Sequence, residues 1–285
     1  MSPFPRDLRS WLLAPALLCI IALFVYPFAY GFMLTFQPMN GHGIWANYID
    51  FFSHKRQWYT LVITLNLAVP ATIINVAASL PIAFVLRRKS RYQKWVTTLL
   101  VVPVTLGTVL IANGMLSYFA PNGWFSQAVH GLNLYSGEVR LTHNYWGVLL
   151  SLIISGFPFS FLLILSYVTG IDPTLAKAAS TLGATPWEQF RRIYLPLLAP
   201  GLTMAACLTF VQAFSVFPSA ILLGVPAGAT RVISIAAYEA AFESYDYGMA
   251  STIAVLMGFA QLLLVGAMLA ARKAFYTGPV SGGKG

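Results

Sequence analysis

Six long apolar stretches, at about residues 10 to 36, 59 to 86, 95 to 119, 145 to 169, 197 to 224 and 249 to 271, leave this chain of 285 residues very few folds to adopt. Each is long enough to cross bilayer hydrocarbon as a helix, which takes about 20 mostly apolar residues. Hydrophobic residues make up 58% of the chain and charged ones 9%, too little polar surface to cover a water-soluble globule of this length. In lipid the backbone must satisfy its own hydrogen bonds, so the stretches are read as helices. The ten-residue alternation of a membrane barrel is absent, and Pro27, Pro70, Pro81 and Pro103 fall inside the spans, where membrane helices tolerate proline. The expected fold class is an all-α integral membrane protein with six transmembrane helices.

Lysine and arginine set the orientation, because they are retained on the cytoplasmic side. One set of flanks holds Arg6 and Arg9, the run Arg87, Arg88, Lys89, Arg91 and Lys94, then Lys177, Arg191 and Arg192, and finally Arg272, Lys273 and Lys284. The opposite set holds only Lys55, Arg56, Arg140 and Arg231. Both termini and the loop around Lys177 are therefore expected in the cytoplasm (N-in, C-in). The net charge of +9 is spent on orientation, and no soluble face gathers it for nucleic acid. The run from Trp11 to Phe36 is too long for a signal-peptide core. Cys19 and Cys207 show neither metal nor disulfide spacing and read as small buried packing residues. No long polar linker interrupts the chain, which reads as one transmembrane domain over residues 1–285 with a cytoplasmic loop at 170–196.

That loop is densely punctuated. Asp172 reads as a helix cap with Pro173 at the first position, and Gly183 as a left-handed stop. Thr185, Pro186 and Glu188 then have the capping-box spacing of a second helix. Leu175, Ala178, Ala179 and Leu182 recur at helical spacing, giving a narrow face of small and apolar side chains that another protein could approach closely. From the residues alone, a loop packing on its own bundle reads equally well.

The order Lys177-Ala178-Ala179, three residues, Gly183, nine residues, Ile193, one residue, Leu195-Pro196 resembles the EAA loop of binding-protein-dependent ABC importer permeases. With the six-span layout, the resemblance covers nearly the whole chain and implies the type I importer permease fold. It departs in one place, Lys177 standing where the family usually has a glutamate. The resemblance implies a coupling helix from about Pro173 to Leu182 that docks in a cleft of a cytoplasmic ATPase subunit. Lys177, Ala178, Ala179, Leu182, Gly183, Ile193, Leu195 and Pro196 would be its coupling residues. The chain has no GxxxxGK[ST] loop, so ATP and Mg are expected at the partner, and no catalytic residue or metal in this chain. The implied assembly has two ATPase subunits, a second permease subunit (a related chain or a second copy) and a periplasmic or lipid-anchored solute-binding protein, in a prokaryotic inner membrane.

Intramembrane amides are costly unless bonded or facing a cavity, so Asn113, Gln212, Asn66 and Asn75 are candidates to line the pathway. Asn113 and Gln212 rank first because the third and fifth spans line the pathway in the permeases this chain resembles. The other reading of all four is an amide that bonds one helix to another. Glu239, Glu243 and Asp246, at i, i+4 and i+7, fit one face of a short helix: a solvated face, or a surface that docks the binding protein. Trp45, Tyr48, Trp58, Trp124, Tyr145 and Trp146 read as interfacial anchors. Residues Phe214 to Gly224, with Arg231-Val232-Ile233, are similar to spermidine/putrescine-type permeases, making a polyamine the first reading of the solute. A sugar, phosphonate or other small organic solute is the alternative under the same mechanism; an ATP-independent carrier or channel is the reading from another class.

Overall fold

Six helices long and apolar enough to cross a membrane account for the six stretches. They belong to a computed structural model that describes residues 15, 17–39, 43–87, 91–131 and 141–275, with no strand among them. In chain order the helices are α1 (Leu17–Leu34), α2 (Ala46–Ser53), α3 (Lys55–Val85), α4 (Arg91–Tyr118), α5 (Trp124–Gly131), α6 (Tyr145–Thr169) and α7 (Pro173–Thr181). They continue with α8 (Pro186–Phe214), α9 (Pro218–Leu223), α10 (Ile233–Tyr238) and α11 (Tyr247–Phe275). Two compact units comprise Met1–Tyr59 with Ala236–Gly258, and Thr60–Ile235 with Phe259–Gly285.

In the first unit, α1 presents Leu18, Leu23, Phe24 and Phe28 outward, as a helix solvated by lipid does. Cys19 is exposed on this helix, correcting the expectation of a buried packing residue: on a lipid-facing helix an apolar side chain needs no protein neighbour. Asn47 is buried and donates its amide to the carbonyl of Thr35 at 2.9 Å, fixing the turn between α1 and α2. A Cβ at Gly248 would run into the Gln37 carbonyl, so the first turn of α11 needs glycine to approach that turn.

In the second unit, α6 is the most buried span. Of its most apolar window 61% is buried, against 6% for α4, and it packs on both α4 and α8. Lipid tails are as apolar as leucine, so such contacts depend on close packing and polar bonds more than on hydrophobic burial. The buried face of α6 accordingly carries Gly147, Ser151, Ser155, Gly156 and Ser160. A Cβ at Gly156 would lie 2.5 Å from Nδ2 of Asn75, which donates to the Leu152 carbonyl at 3.3 Å and ties α3 to α6. Ser151 and Ser219 bond at 2.7 Å, and Thr64 accepts the N–H of Ile233 at 2.9 Å. Toward the α7 end lies an apolar cluster of Ala83, Phe161, Ile164, Leu165, Val168, Tyr194, Leu198 and Ala205.

The fifth span differs from its expected bounds at both ends. It starts at Pro186, because the second helix of the polar loop runs into it without a break through a π-helical turn at Phe190–Tyr194. It stops at Phe214, and α9 is a separate helix opened by Pro218. Proline has no N–H for the helix ladder and crowds the residue before it, and Phe217 sits outside helical geometry at φ −135°, ψ −59°. The third span contains a second break: Pro103 lies inside α4, and one turn on, Gly107 takes φ 74°, ψ 164°.

Candidate coupling site

The loop between α6 and α8 folds as its caps dictate. The Asp172 carboxylate accepts the N–H of Thr174 at 2.9 Å, with Pro173 in the first turn of α7. At the far end Gly183 adopts φ +83°, its N–H bonding to the Ser180 carbonyl and that of Ala184 to Ala179, both at 3.0 Å. These paired bonds are the Schellman stop, which needs a left-handed residue between them. A Cβ at Gly183 would meet nothing within 4 Å, so the site requires a backbone conformation and not space. Thr185 and Glu188 then bond reciprocally as a capping box for α8. Gln189 donates to Ser180 Oγ and to the Ala184 carbonyl, each at 2.9 Å, tying α8 to α7.

This leaves one face of α7 bound and another bare. Ala176 turns inward onto the buried cluster, while Lys177 and Ala178 are exposed and Leu175 is 46% exposed. Leu182 is 88% exposed and Trp187, just past the turn, 67%. Ala179 is half-buried at the stop motif; Ile193 and Leu195 are half-buried in α8, either side of buried Tyr194, and Pro196 is exposed. Lys177, Ala178, Leu182 and Gly183 are thus all exposed on the loop, whereas Ile193, Leu195 and Pro196 lie where α8 joins the bundle.

The Asp172 carboxyl is held below the usual carboxylate range, first by its bonds from Thr174 and then by the charge of Lys177. The cap is therefore complete above the ordinary carboxylate pKa and is lost only as pH falls through the lowered value. Asp172→Ala is expected to fray the first turn of α7 at neutral pH, and the parent chain to show the same fraying only in acid. Limited proteolysis of the loop across pH checks this; equal cleavage of both chains at neutral pH would exclude a role for the cap.

Sequence reasoning missed what fastens the loop to the bundle. At the end of α3 the Phe84 ring meets Phe190 edge-on at 4.8 Å and Tyr194 at 5.0 Å, and Trp187 stacks on Phe190 at 5.6 Å. The Arg87 guanidinium lies 3.9 Å from the Phe84 centroid and 5.4 Å from that of Tyr194. Only the aromatic pair at i, i+4 in Phe190 and Tyr194 hinted at such a contact.

The four amides are spread over three helices. Asn113 is exposed on α4, and Gln212 is half-buried on α8. Asn66 is exposed on α3, its carbonyl accepting the Tyr145 hydroxyl at 2.7 Å. Asn75 is fully buried at the α3–α6 contact. The acidic trio does not form the expected single helical face. Glu239–Glu243 is a π-helical turn closed by the bond from Ser244 N–H to the Glu239 carbonyl, so its residues advance less per step than in an α-helix. Asp246 lies beyond it, after left-handed Tyr245, and caps α11 by accepting the Met249 N–H at 2.9 Å.

Residues 43–275 match the family described as binding-protein-dependent transport system inner membrane component. A "probable starch degradation products transport system permease protein" of Thermoanaerobacterium thermosulfurigenes is 25% identical, with 89% of this chain and 90% of the relative covered. The trehalose transport system permease protein of Mycobacterium tuberculosis is 26% identical over 88% of this chain and 84% of its own. The sulfate transport system permease protein of Salmonella typhimurium is 28% identical over 78% of each. In fold, the chain superposes on a chain of a bacterial alginate ABC transporter, solved with an alginate pentasaccharide-bound periplasmic protein, at a TM-score of 0.80 and 22% identity, covering 95% of this chain and 97% of that one.

Proposed function

The chain belongs to the binding-protein-dependent transport system inner membrane component family, and from that premise we propose that it is the permease of an ATP-driven importer whose energy enters at α7. The observation behind this reading is the exposed apolar end of α7, with Leu182 at 88%, on a helix capped at both ends and seated on the bundle core. With Leu175 and Trp187 also exposed around the same turn, this is apolar surface of the kind a partner's cleft covers. ATP and Mg are handled by two ATPase subunits, and the permease supplies a gated path that alternates between inward and outward states. A second permease subunit, a related chain or another copy, completes the path. A periplasmic or lipid-anchored binding protein delivers the solute, with Glu239, Glu243 and Asp246 on the docking side. We place the assembly in a prokaryotic cytoplasmic membrane.

Among the proposed pathway residues, Asn113 and Gln212 on α4 and α8 come first. Asn66 follows. Asn75 acts by holding α3 to α6. A sugar is the solute that relatives named for starch degradation products and trehalose favour. A polyamine is the second reading, resting on the sequence from Phe214 to Gly224. ATPase activity of the purified assembly in lipid decides between them, with binding protein loaded in turn with a sugar panel, sulfate, spermidine and putrescine. Stimulation by one loaded form names the solute; an assembly with no ATPase subunit overturns the reading.

Lys177 gives this site a charge its partner must match. A cleft that accepts lysine carries acidic groups, so Lys177→Glu is expected to lower partner retention about tenfold, a like-charge contact costing on the order of 1 to 2 kcal/mol. Stronger retention and faster transport by Lys177→Glu would mean that the cleft is basic.

A further inference from the structure

The basic run that begins at Arg87 has a topological explanation that needs only its charge. Arg87 is used for more. Its guanidinium lies over two rings, and its Nη1 donates to the Phe84 carbonyl at 2.7 Å, closing the last turn of α3. Resting on the coupling reading above, we propose that Phe84 and Arg87 form a clamp fastening the loop to α3, so that coupling segment and third helix move as one body.

Three features support it. Phe84 is held by two rings from one widened turn, Phe190 and Tyr194, and Arg87 covers both Phe84 and Tyr194. Tyr194 is only 4% exposed and belongs to the buried cluster, so it cannot swing aside without opening the core. The loop itself is stiff between α7 and this turn, because Gln189 bonds back to Ser180 and Ala184 while Trp187 stacks on Phe190. A push on α7 reaches Phe190 and Tyr194 through short bonded links, and from there the interlocked rings carry α3 with them. Arg87 is a positioning residue in this arrangement, and a planar guanidinium suits it better than an ammonium because it stacks on rings while its N–H groups stay free to bond.

The test uses the chain assembled with its co-purifying ATPase subunit, with Cys19 and Cys207 replaced by alanine. Val85→Cys with Arg191→Cys, both exposed and outside the ring contacts, is cross-linked with a short bifunctional maleimide without nucleotide and again with MgATP and vanadate. The same cross-linking yield, within about twofold, is expected in both states for parts that move together; a fall of about fivefold or more with nucleotide overturns the clamp. Independently, Arg87→Gln is expected to leave assembly intact and raise basal MgATP hydrolysis about threefold, because ATPase and spans are no longer held to one another, with Arg87→Lys returning part of the way. Unchanged hydrolysis in Arg87→Gln, or a loss of hydrolysis and assembly together, overturns it. Failure of the underlying reading looks different: Leu182→Cys would be labelled by a maleimide as fast with the ATPase subunit bound as without it.

Discussion

Gly183→Val is expected to abolish transport-linked ATP hydrolysis while the protein still inserts into the membrane at normal levels. At φ +83° valine is a steric outlier, and each residue forced into that region costs on the order of 1 to 2 kcal/mol. Nothing surrounds the position, so no clash in the bundle adds to the penalty and the spans are left intact. The chain escapes by giving up the bonds from Gly183 to Ser180 and from Ala184 to Ala179, which unwinds the end of α7 and displaces Leu182. Membrane yield, partner retention and solute-stimulated ATPase activity of the variant test this. Normal stimulation would show that α7 does not transmit the motion. Gly183→Asn, which tolerates the left-handed region, should keep most of the activity.

Leu182→Asp is expected to lose the ATPase subunit without destabilising the permease. Burying a leucine in an interface contributes about 1.5 to 3 kcal/mol, roughly a ten- to hundredfold change in dissociation constant, and a buried carboxylate adds its own desolvation penalty. Because Leu182 is 88% exposed in the chain, thermal stability of the isolated permease should not change. Retention of the ATPase subunit on the immobilised permease, measured beside that stability, separates the outcomes. Undiminished retention would move the docking surface elsewhere, with Trp187 next in exposure.

The caps around α7 were legible because each is local chemistry: Asp172, Gly183 and the Thr185–Glu188 pair act within a few residues of themselves, and the structure forms all of them as expected. The six spans were legible from length and composition. Their ends were less so, since hydropathy does not distinguish the apolar end of α8 from the apolar residues of α9; the break falls at Pro218, where backbone geometry and not polarity decides. The acidic trio does not share one helical face because the register assumed a uniform α-helix, whereas Glu239–Glu243 is a π-helical turn and Asp246 follows left-handed Tyr245. The contacts of Phe84 and Arg87 with Phe190 and Tyr194 join residues about a hundred positions apart, which no local pattern encodes. Cys19 shows that an apolar residue in a membrane chain has two solvents to choose from.

The unbroken run of α8 from Pro186 to Phe214 has a mechanical consequence. Its 29 residues, at 1.5 Å each, make a rod about 43 Å long, of which the first turns stand with the loop and the rest in the bundle. Held by Tyr194 and Leu198 near one end, such a rod behaves as a lever with a short arm and a long one. A tilt of roughly 10° about that pivot moves the start of the short arm by about 2 to 3 Å and Gln212, near the far tip, by about 4 to 5 Å, about the width of a side chain.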